Sequence, residues 1–311
     1  MEQKRYDTIV IGGGPGGYTA ALYTARANLS TLVLEKLTPG GQMGTTDQID
    51  NYPGFPQGVN GFELAMQMKE GAERFGARTE LTEVVSVELA GSVKQVRTQN
   101  GTYQGRTVVL ATGASPRELG LPGERELRGR GVSYCATCDG MFYRGRTVAV
   151  VGGGNTAVAD VLYLSRLCEK VYLIHRRDTL RASKVYLDPL RQAGNVEFLW
   201  DSQVTELLYG ETLTGVNVQN KKTGAVTELP LDGLFVAVGH VPNTELFQGQ
   251  LELDQGGYVV ADETTRTSLP GVFAVGDLRQ KPLRQVVTAA ADGAVASHFI
   301  EEYLAAESTL S

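Results

Sequence analysis

Cysteine is scarce in this sequence: 311 residues hold three, Cys135, Cys138 and Cys168. One pair and a leftover make no disulfide framework, so the fold has to rest on hydrophobic cores. Histidine is as rare, at His175, His240 and His298. Structural zinc takes four ligands, and none of these residues stands in finger-like spacing to the cysteine pair. No stretch reaches the roughly 18 apolar residues of a membrane-spanning helix. Met1–Arg5 (MEQKR) carries no apolar signal segment and leads straight into a strand-like run. An excess of positive charge is missing too. The 29 Lys and Arg stand against 35 Asp and Glu, a formal net charge of −6, which argues against a nucleic-acid partner. Together these absences predict a soluble cytoplasmic protein, in which an accessible dithiol is kept because it reacts.

What is present is length and a 42% hydrophobic content, enough for two cores. The 38 glycines gather at turns instead of forming a low-complexity tract. The first cluster follows a β-rich run, Tyr6–Ile11: Gly12-Gly13-Gly14-Pro15-Gly16-Gly17, then an Ala-rich helical stretch over Tyr18–Asn28 and a strand, Leu32–Leu34, that ends at Glu35. This is G-x-G-x-x-G in its full setting of strand, turn, helix, strand and acid. Gly12 permits the tight turn, Gly14 lets a pyrophosphate approach the backbone, and Gly17 lets helix and strand pack closely. The helix start offers N–H groups to phosphate, and Glu35 is placed to accept bonds from ribose hydroxyls. A polar loop from Gly40-Gly41-Gln42 to Asn51-Tyr52-Pro53-Gly54 is of the length that is usually functional, the alternative being a surface excursion. An amphipathic helix is expected over Gly61–Phe75, and strands near Val84–Leu89, Val93–Thr98 and Thr107–Leu110. The last ends in Ala111-Thr112-Gly113, small residues that let a strand end abut a bulky ligand.

At Arg146 the pattern restarts. Strand Thr147–Val151 leads into Gly152-Gly153-Gly154-Asn155-Thr156-Ala157 (G-x-G-x-x-A), a helix over Val158–Leu167 and a strand, Val171–Ile174. The architecture is duplicated, but this second unit ends in His175-Arg176-Arg177 with Arg181 beyond. Guanidinium groups bind a 2′-phosphate bidentately where an acid would repel it. The second site therefore prefers NADPH to NADH, the alternative being a solvated basic face. Further strands are expected at Glu197–Leu199, Gln203–Leu208, Gly215–Gln219 and Leu234–Val238. Near the end a strand closes in Gly276-Asp277, suited to ligand hydroxyls unless it is a plain turn. Arg284-Gln285-Val286-Val287-Thr288 opens a final helix running to about Leu304, and a ring carbonyl can sit at its N-terminus.

Between the glycine clusters lies Cys135-Ala136-Thr137-Cys138-Asp139-Gly140. A structural disulfide and half of a zinc site are the competing readings. A redox-active pair is favoured, because it neighbours a nucleotide-binding turn and is followed at once by a carboxylate. A helix start beside the pair would lower a thiolate pKa. Asp139 either protonates a leaving thiolate or merely caps a helix.

Six segments occur in order: G-G-Q (40–42), C-A-T-C-D-G (135–140), G-G-G-N-T-A-V (152–158), H-R-R-D-x-x-R-A (175–182), T-S-x-P-G-V-F-A-x-G-D (267–277) and R-Q-x-x-T (284–288). Together they resemble the low-molecular-weight, bacterial-type thioredoxin reductases, members of the class II pyridine nucleotide-disulfide oxidoreductases. The resemblance implies an α/β protein with two Rossmann-like, three-layer ββα dinucleotide-binding domains. An FAD domain (1–115 and 243–311) is split around an inserted NADPH domain (116–242). It implies a homodimer passing electrons from NADPH through FAD and the Cys135–Cys138 disulfide to thioredoxin or a thioredoxin-like protein. Cys138 would face the flavin, Cys135 would attack thioredoxin, and Asp139 would donate and accept protons. Gly12, Gly14, Pro15, Gly17, Glu35, Gly41, Gln42, Asn51, Thr112, Gly113, Gly276, Asp277, Arg284, Gln285 and Val286 would line FAD. Gly152, Gly154, Asn155, Thr156, His175, Arg176, Arg177 and Arg181 would hold NADPH. Related flavoproteins with an extra N-terminal disulfide domain fit less well, because this chain opens on the flavin strand. Ferredoxin-linked relatives have lost the NADPH signature retained here. A flavin-binding redox sensor without turnover is the reading from another class. The pair precedes strand Thr147–Val151 and nucleotides bind beyond a strand's C-terminal end, so the two are expected at opposite ends of one domain. A hinge rotation near Gly113–Pro116 and Gly239–Pro242 would then have to alternate them at the flavin.

Overall fold

The computed structural model describes residues 4–46 and 48–310; Met1–Gln3 of the opening segment and Asp47 of the long loop lie outside the described residues. The chain divides into two compact units, Met1–Ser115 with Val241–Ser311, and Pro116–His240. In chain order the first unit contributes β1 (Lys4–Ile11), α1 (Pro15–Arg26), β2 (Thr31–Glu35), α2 (Gly61–Glu73), β3 (Arg78–Leu81), β4 (Val84–Glu88), β5 (Lys94–Thr98) and β6 (Gly101–Leu110), then the crossing strand β7 (Ala114–Pro116). The second unit contributes β8 (Val132–Ser133), α3 (Ala136–Asp139), β9 (Thr147–Gly152), α4 (Asn155–Leu164), β10 (Lys170–Ile174), α5 (Lys184–Gln192), β11 (Val196–Leu199), β12 (Ser202–Tyr209), β13 (Leu213–Asn220), β14 (Val226–Pro230) and β15 (Gly233–Ala237). The chain returns through β16 (His240–Pro242) to β17 (Val272–Ala274) and α6 (Val286–Leu310).

Both units use one plan. In the first, β3-β2-β1-β6 are parallel, β17 extends them along the end of β6, and β4 and β5 pair antiparallel against the start of β6. In the second, β11-β10-β9-β15-β8 are parallel and β12-β13-β14 form a separate antiparallel layer. Alternation along each central strand feeds two cores. On β1, Val10 packs with Tyr18, Ala21 and Ala25 of α1 and Ala296 and Ile300 of α6. Ile9 and Ile11 face the other way, toward Val87 and Val96 of the antiparallel strands and Tyr103 of β6. On β9, Val148 and Val150 meet α4, and Ala149 and Val151 meet Leu207, Val216 and Val218 of the antiparallel layer. This is the three-layer ββα arrangement, present twice.

Element boundaries follow local chemistry. α1 starts at Pro15, three residues before the expected Tyr18; proline has no N–H to leave unpaired at a first helical position. α4 likewise starts at Asn155, directly off the glycine turn. Asn60 caps α2, accepting from the N–H groups of Phe62 and Glu63 at 3.0 and 3.2 Å. The last helix runs to Leu310, beyond the expected end near Leu304.

Candidate functional site: the redox turn and two nucleotide cradles

β8 delivers the redox turn. Cys135 and Cys138 are disulfide-bonded with Cα atoms 5.3 Å apart. Cys135 is the N-cap of the single-turn α3, and its carbonyl accepts from the N–H groups of Cys138 and Asp139 at 3.2 and 3.1 Å. The Asp139 carboxylate caps no helix. It accepts instead from the Ser133 hydroxyl at 2.6 Å. Burial pushes the Asp139 carboxyl above the usual carboxylate range, against the pull of Ser133 and of Arg128. Beyond Asp139, Met141 and Phe142 are large apolar side chains left 46% and 49% exposed, whereas Tyr143 turns inward onto Phe235. Cys168 is buried and unpaired, and burial pushes its thiol up to about 11, so it is inert as a nucleophile.

One geometric expectation fails. Leu234 of β15 stands opposite both Val132 of β8 and Ala149 of β9, and Phe235 opposite Ser133 and Val150. All three strands are parallel and β8 ends at Ser133, level with Val150, so the redox turn leaves the sheet at its C-terminal end, the end that carries the glycine turn. The chain then descends along α4 until Gly140 meets Tyr163 and Leu164. Sequence order misled because β8 is a strand of two residues that no periodicity reveals. The argument for a rotation from opposite strand ends falls with it.

In the first unit the glycine turn is a tight cradle. A Cβ on Gly17 would lie 2.0 Å from the Gly12 carbonyl oxygen, so helix and strand touch there only as glycine allows. Gly14, N-cap of α1, has nothing within 4 Å of a Cβ position and faces open space. Glu35 accepts from the N–H groups of Gly13 at 2.7 Å and Leu37 at 3.1 Å, which fixes its carboxylate beside the turn. Gly41 takes φ +55°, and a Cβ built on it would lie 3.9 Å from the Gly14 Cα. The Gln42 amide donates to the Ala114 carbonyl. The Asn51 amide donates to Gln285 Oε1 at 2.9 Å, tying the long loop to the start of α6, where Val286 is the first residue. Thr112 bonds the Asn243 carbonyl at 2.7 Å, and Gly113 takes φ +68°. Arg284 lies over the Tyr258 ring at 4.1 Å and reaches the Asp277 carbonyl.

Asp277 bears most directly on a cofactor. Its Oδ1 is buried with no partner among the described residues. Burial pushes its carboxyl up, with Lys281 and Arg284 pulling it down. A buried, unsatisfied carboxylate oxygen needs a donor, which a ribityl hydroxyl supplies. With the open face at Gly14 and the fixed Glu35 carboxylate, these residues fit FAD.

In the second unit Gly154 likewise faces open space at the N-cap of α4. Gly152 ends β9, and Thr156 is exposed on the first turn of α4. Asn155 accepts from the Ser183 N–H at 2.8 Å, and the Arg181 N–H donates to the Gly153 carbonyl at 2.8 Å, which folds the 176–183 segment over the turn. Arg176, Arg177 and Arg181 are exposed, with no carboxylate partner among the described residues. The acid within their loop, Asp178, pairs with Lys222 at 3.4 Å. His175 lies deeper: it is buried, its ring packs where a Gly153 side chain would be, and Nε2 contacts the Thr179 carbonyl at 3.1 Å. Burial lowers its pKa, so the ring is neutral and the cluster's charge comes from the arginines.

Sequence reasoning missed Ser133, Met141 and Phe142, which stand outside any motif and become visible only through burial. It also missed the buried trio Arg279, Lys281 and Asp292. Asp292 accepts from the Gly276 N–H, Arg279 and Lys281, pinning the turn that carries Asp277.

Two nucleotide cradles and a C-x-x-C disulfide on one chain define a flavin-dependent pyridine-nucleotide disulfide oxidoreductase, and the known proteins agree. Residues 6–293 match the family model described as pyridine nucleotide-disulphide oxidoreductase, and the chain belongs to that family. Within it, the chain is 48% identical to the thioredoxin reductase of Streptomyces coelicolor over 303 residues, 96% of this chain and 94% of the relative. It is 45% identical to that of Listeria monocytogenes, over 97% and 95% of the two chains. Among solved structures, thioredoxin reductase from Streptococcus pyogenes superposes with a TM-score of 0.91 at 44% identity, covering 98% of this chain and all of that one (100%). The enzyme from Giardia duodenalis gives 0.90 at 36% identity, over 97% and 100%.

Proposed function

We propose that this protein is an NADPH-dependent thioredoxin reductase, with the first unit holding FAD and the second NADPH. One observation carries the reading: a disulfide and the half-buried Asp139 carboxyl, whose proton affinity burial raises, share a unit with a glycine turn flanked by three exposed arginines. Bound FAD supplies the step that turns a hydride from a nucleotide into an electron pair for a disulfide.

The chain's own residues do the rest. Glu35 and Asp277 orient the flavin nucleotide, and Gly14 admits its pyrophosphate. Arg176, Arg177 and Arg181 grip the 2′-phosphate of NADPH, which gives the preference over NADH. An electron pair breaks the Cys135–Cys138 bond, and Asp139 gives its proton to one sulfur. The Cys135 thiolate then attacks the thioredoxin disulfide. The Cys138 thiolate attacks Cys135, breaks the mixed disulfide and releases the second thioredoxin sulfur, with protons returned through Asp139. Exposed Met141 and Phe142 beside the pair give the apolar contact that docks a thioredoxin-like protein. The enzyme works in the cytoplasm as a homodimer.

The test is direct. NADPH should bleach the yellow holoprotein, and thioredoxin should speed turnover of a disulfide dye, with NADH a poor donor. Thioredoxin-independent turnover, or equal use of NADH, would sink the assignment.

A further inference from the structure

Ser133 touches both ends of the redox turn. It closes β8, is 3% exposed, and is held opposite Phe235 by sheet pairing. A hydroxyl has one proton to give. Ser133 Oγ lies 2.6 Å from Asp139 Oδ2 and 3.4 Å from the Cys135 carbonyl, so the carboxylate takes the proton. The same oxygen accepts from the Cys135 N–H at 3.1 Å. The amide of the first cysteine, the hydroxyl and the carboxylate thus form one row, anchored on the sheet rather than on the redox loop.

We propose that Ser133 is the positioning residue for the proton chemistry of the Cys135–Cys138 pair, holding Asp139 against the Cys135 backbone and stabilising the carboxylate left when Asp139 gives up its proton. The inference rests on the reductase reading above. In the step concerned, an electron pair originating in NADPH enters the disulfide and the S–S bond breaks into two thiolates. One takes the proton of Asp139, leaving one thiol, one thiolate and an Asp139 carboxylate. That carboxylate needs a donor in a half-buried place, and Ser133 is the hydroxyl in contact with it. A hydrogen bond to an ionised acceptor is roughly twice as strong as a neutral one, so Ser133 favours release of the proton while burial favours keeping it. Among the described residues, the ionisable groups that interact with Asp139 are Arg128, from the loop before β8, and Tyr143, beyond α3. α4, packed on α3, carries Tyr163, whose ring meets Gly140, and the acid Asp160. Burial pushes the Asp160 carboxyl up to about 7, so Asp160 needs its own control.

The experiment follows the pH dependence of iodoacetamide alkylation of the dithiol in reduced holoenzyme, and of kcat for thioredoxin reduction. Wild type is compared with Ser133→Ala, Ser133→Thr, Asp139→Asn, the Ser133→Ala/Asp139→Asn double variant and Asp160→Asn. Ser133→Ala should move the Asp139 inflection up by about one pH unit, tenfold in proton affinity, and Ser133→Thr should restore it. Asp139→Asn should remove the inflection, and adding Ser133→Ala to it should move nothing more. Asp160→Asn should leave the inflection in place. If Ser133→Ala does not fold, Ser133→Gly removes the same hydroxyl and must give the same shift. An unmoved inflection without the hydroxyl, while Asp139→Asn abolishes it, overturns the role of Ser133 alone, as does an equal shift in the Asp139→Asn background. Thioredoxin reduction that survives Cys138→Ser overturns the reading beneath it.

Discussion

Replacing Asp292 by asparagine should cost this fold more than its single-atom change suggests. The Asp292, Arg279 and Lys281 side chains are 8%, 10% and 4% exposed. Asp292 Oδ2 accepts from the Gly276 N–H at 2.9 Å, Arg279 Nε at 3.1 Å and Lys281 Nζ at 2.7 Å, and Oδ1 accepts from Arg279 Nη2 at 2.9 Å. Asn fits the space but removes the charge and turns an NH2 toward two buried cations. Stranding the partners of a buried ion pair costs about 3–5 kcal/mol, which at about 2–4 °C per kcal/mol for a unit of this size lowers Tm by roughly 6–20 °C. Calorimetry on FAD-saturated and FAD-stripped protein reads this, and FAD should leave the variant faster, because the Gly276–Asp277 turn loses its anchor. Burial alone would push the Asp292 carboxyl up, but the bonds from Arg279 and Lys281 outweigh it and hold the group below its ordinary value of 3.8. A depressed folded-state pKa means the stabilisation is fully present above the unfolded value and is lost as pH falls through the folded one. The gap between wild type and variant should therefore be flat from pH 5 to 8 and close only in acid below about 4. Adding Arg279→Met and Lys281→Met should recover much of the loss, since replacing a whole buried charge set with apolar groups is often neutral. A gap under about 1 °C, outside that estimated range, or no recovery in the triple variant, would refute the reasoning.

Cys138→Ser and Cys135→Ser should each keep FAD bound and reducible by NADPH while abolishing thioredoxin reduction; near wild-type turnover in either would remove the pair from the chemistry. Arg176→Ala with Arg177→Ala should raise KM for NADPH at least about tenfold, as loss of a charged hydrogen bond of about 1.5–3 kcal/mol requires, and leave KM for NADH unchanged; parallel increases would count against a 2′-phosphate site. Met141→Ala with Phe142→Ala should raise KM for thioredoxin but not for a small disulfide dye, and an equal loss with both would place these side chains in the chemistry instead of the docking.

The sequence was legible where the backbone itself is the requirement. Gly17 leaves 2.0 Å between a Cβ and the Gly12 carbonyl, so glycine is the residue that fits, and the motif is written in plain view. The Cys135–Cys138 spacing closes a disulfide and can be read the same way. What escaped depends on long-range burial. Ser133 is an ordinary serine until Asp139 is folded against it, and Asp292 an ordinary helical acid until Arg279 and Lys281 are enclosed with it. The two-residue β8 has no period to detect, and its parallel pairing, not its place in sequence, decides that the redox turn leaves from the C-terminal end of the sheet. Short edge strands such as β14, exposed along most of their length, lack the apolar alternation that marks a strand.

The two cradles share a plan, and their difference lies in how one position is used. After β2 the Glu35 carboxylate closes on the Gly13 N–H at 2.7 Å. After β10 the His175 ring closes on Gly153, so tightly that a Cβ there would sit 2.2 Å from Cε1. Both side chains brace the middle glycine of their turn. Glu35 braces it with an acceptor that retains lone pairs for ribose hydroxyls. His175 braces it with a buried, neutral ring that brings no negative charge to the cleft. Removing the acid is the first requirement for admitting a 2′-phosphate, because a carboxylate at that position repels it. Supplying cations is the second, met one residue further out by Arg176 and Arg177, while Lys222 neutralises Asp178. On the proposed function, the same strand–turn–helix unit is thereby turned from one dinucleotide to the other by exchanging the brace and adding the arginines, with no change of backbone plan.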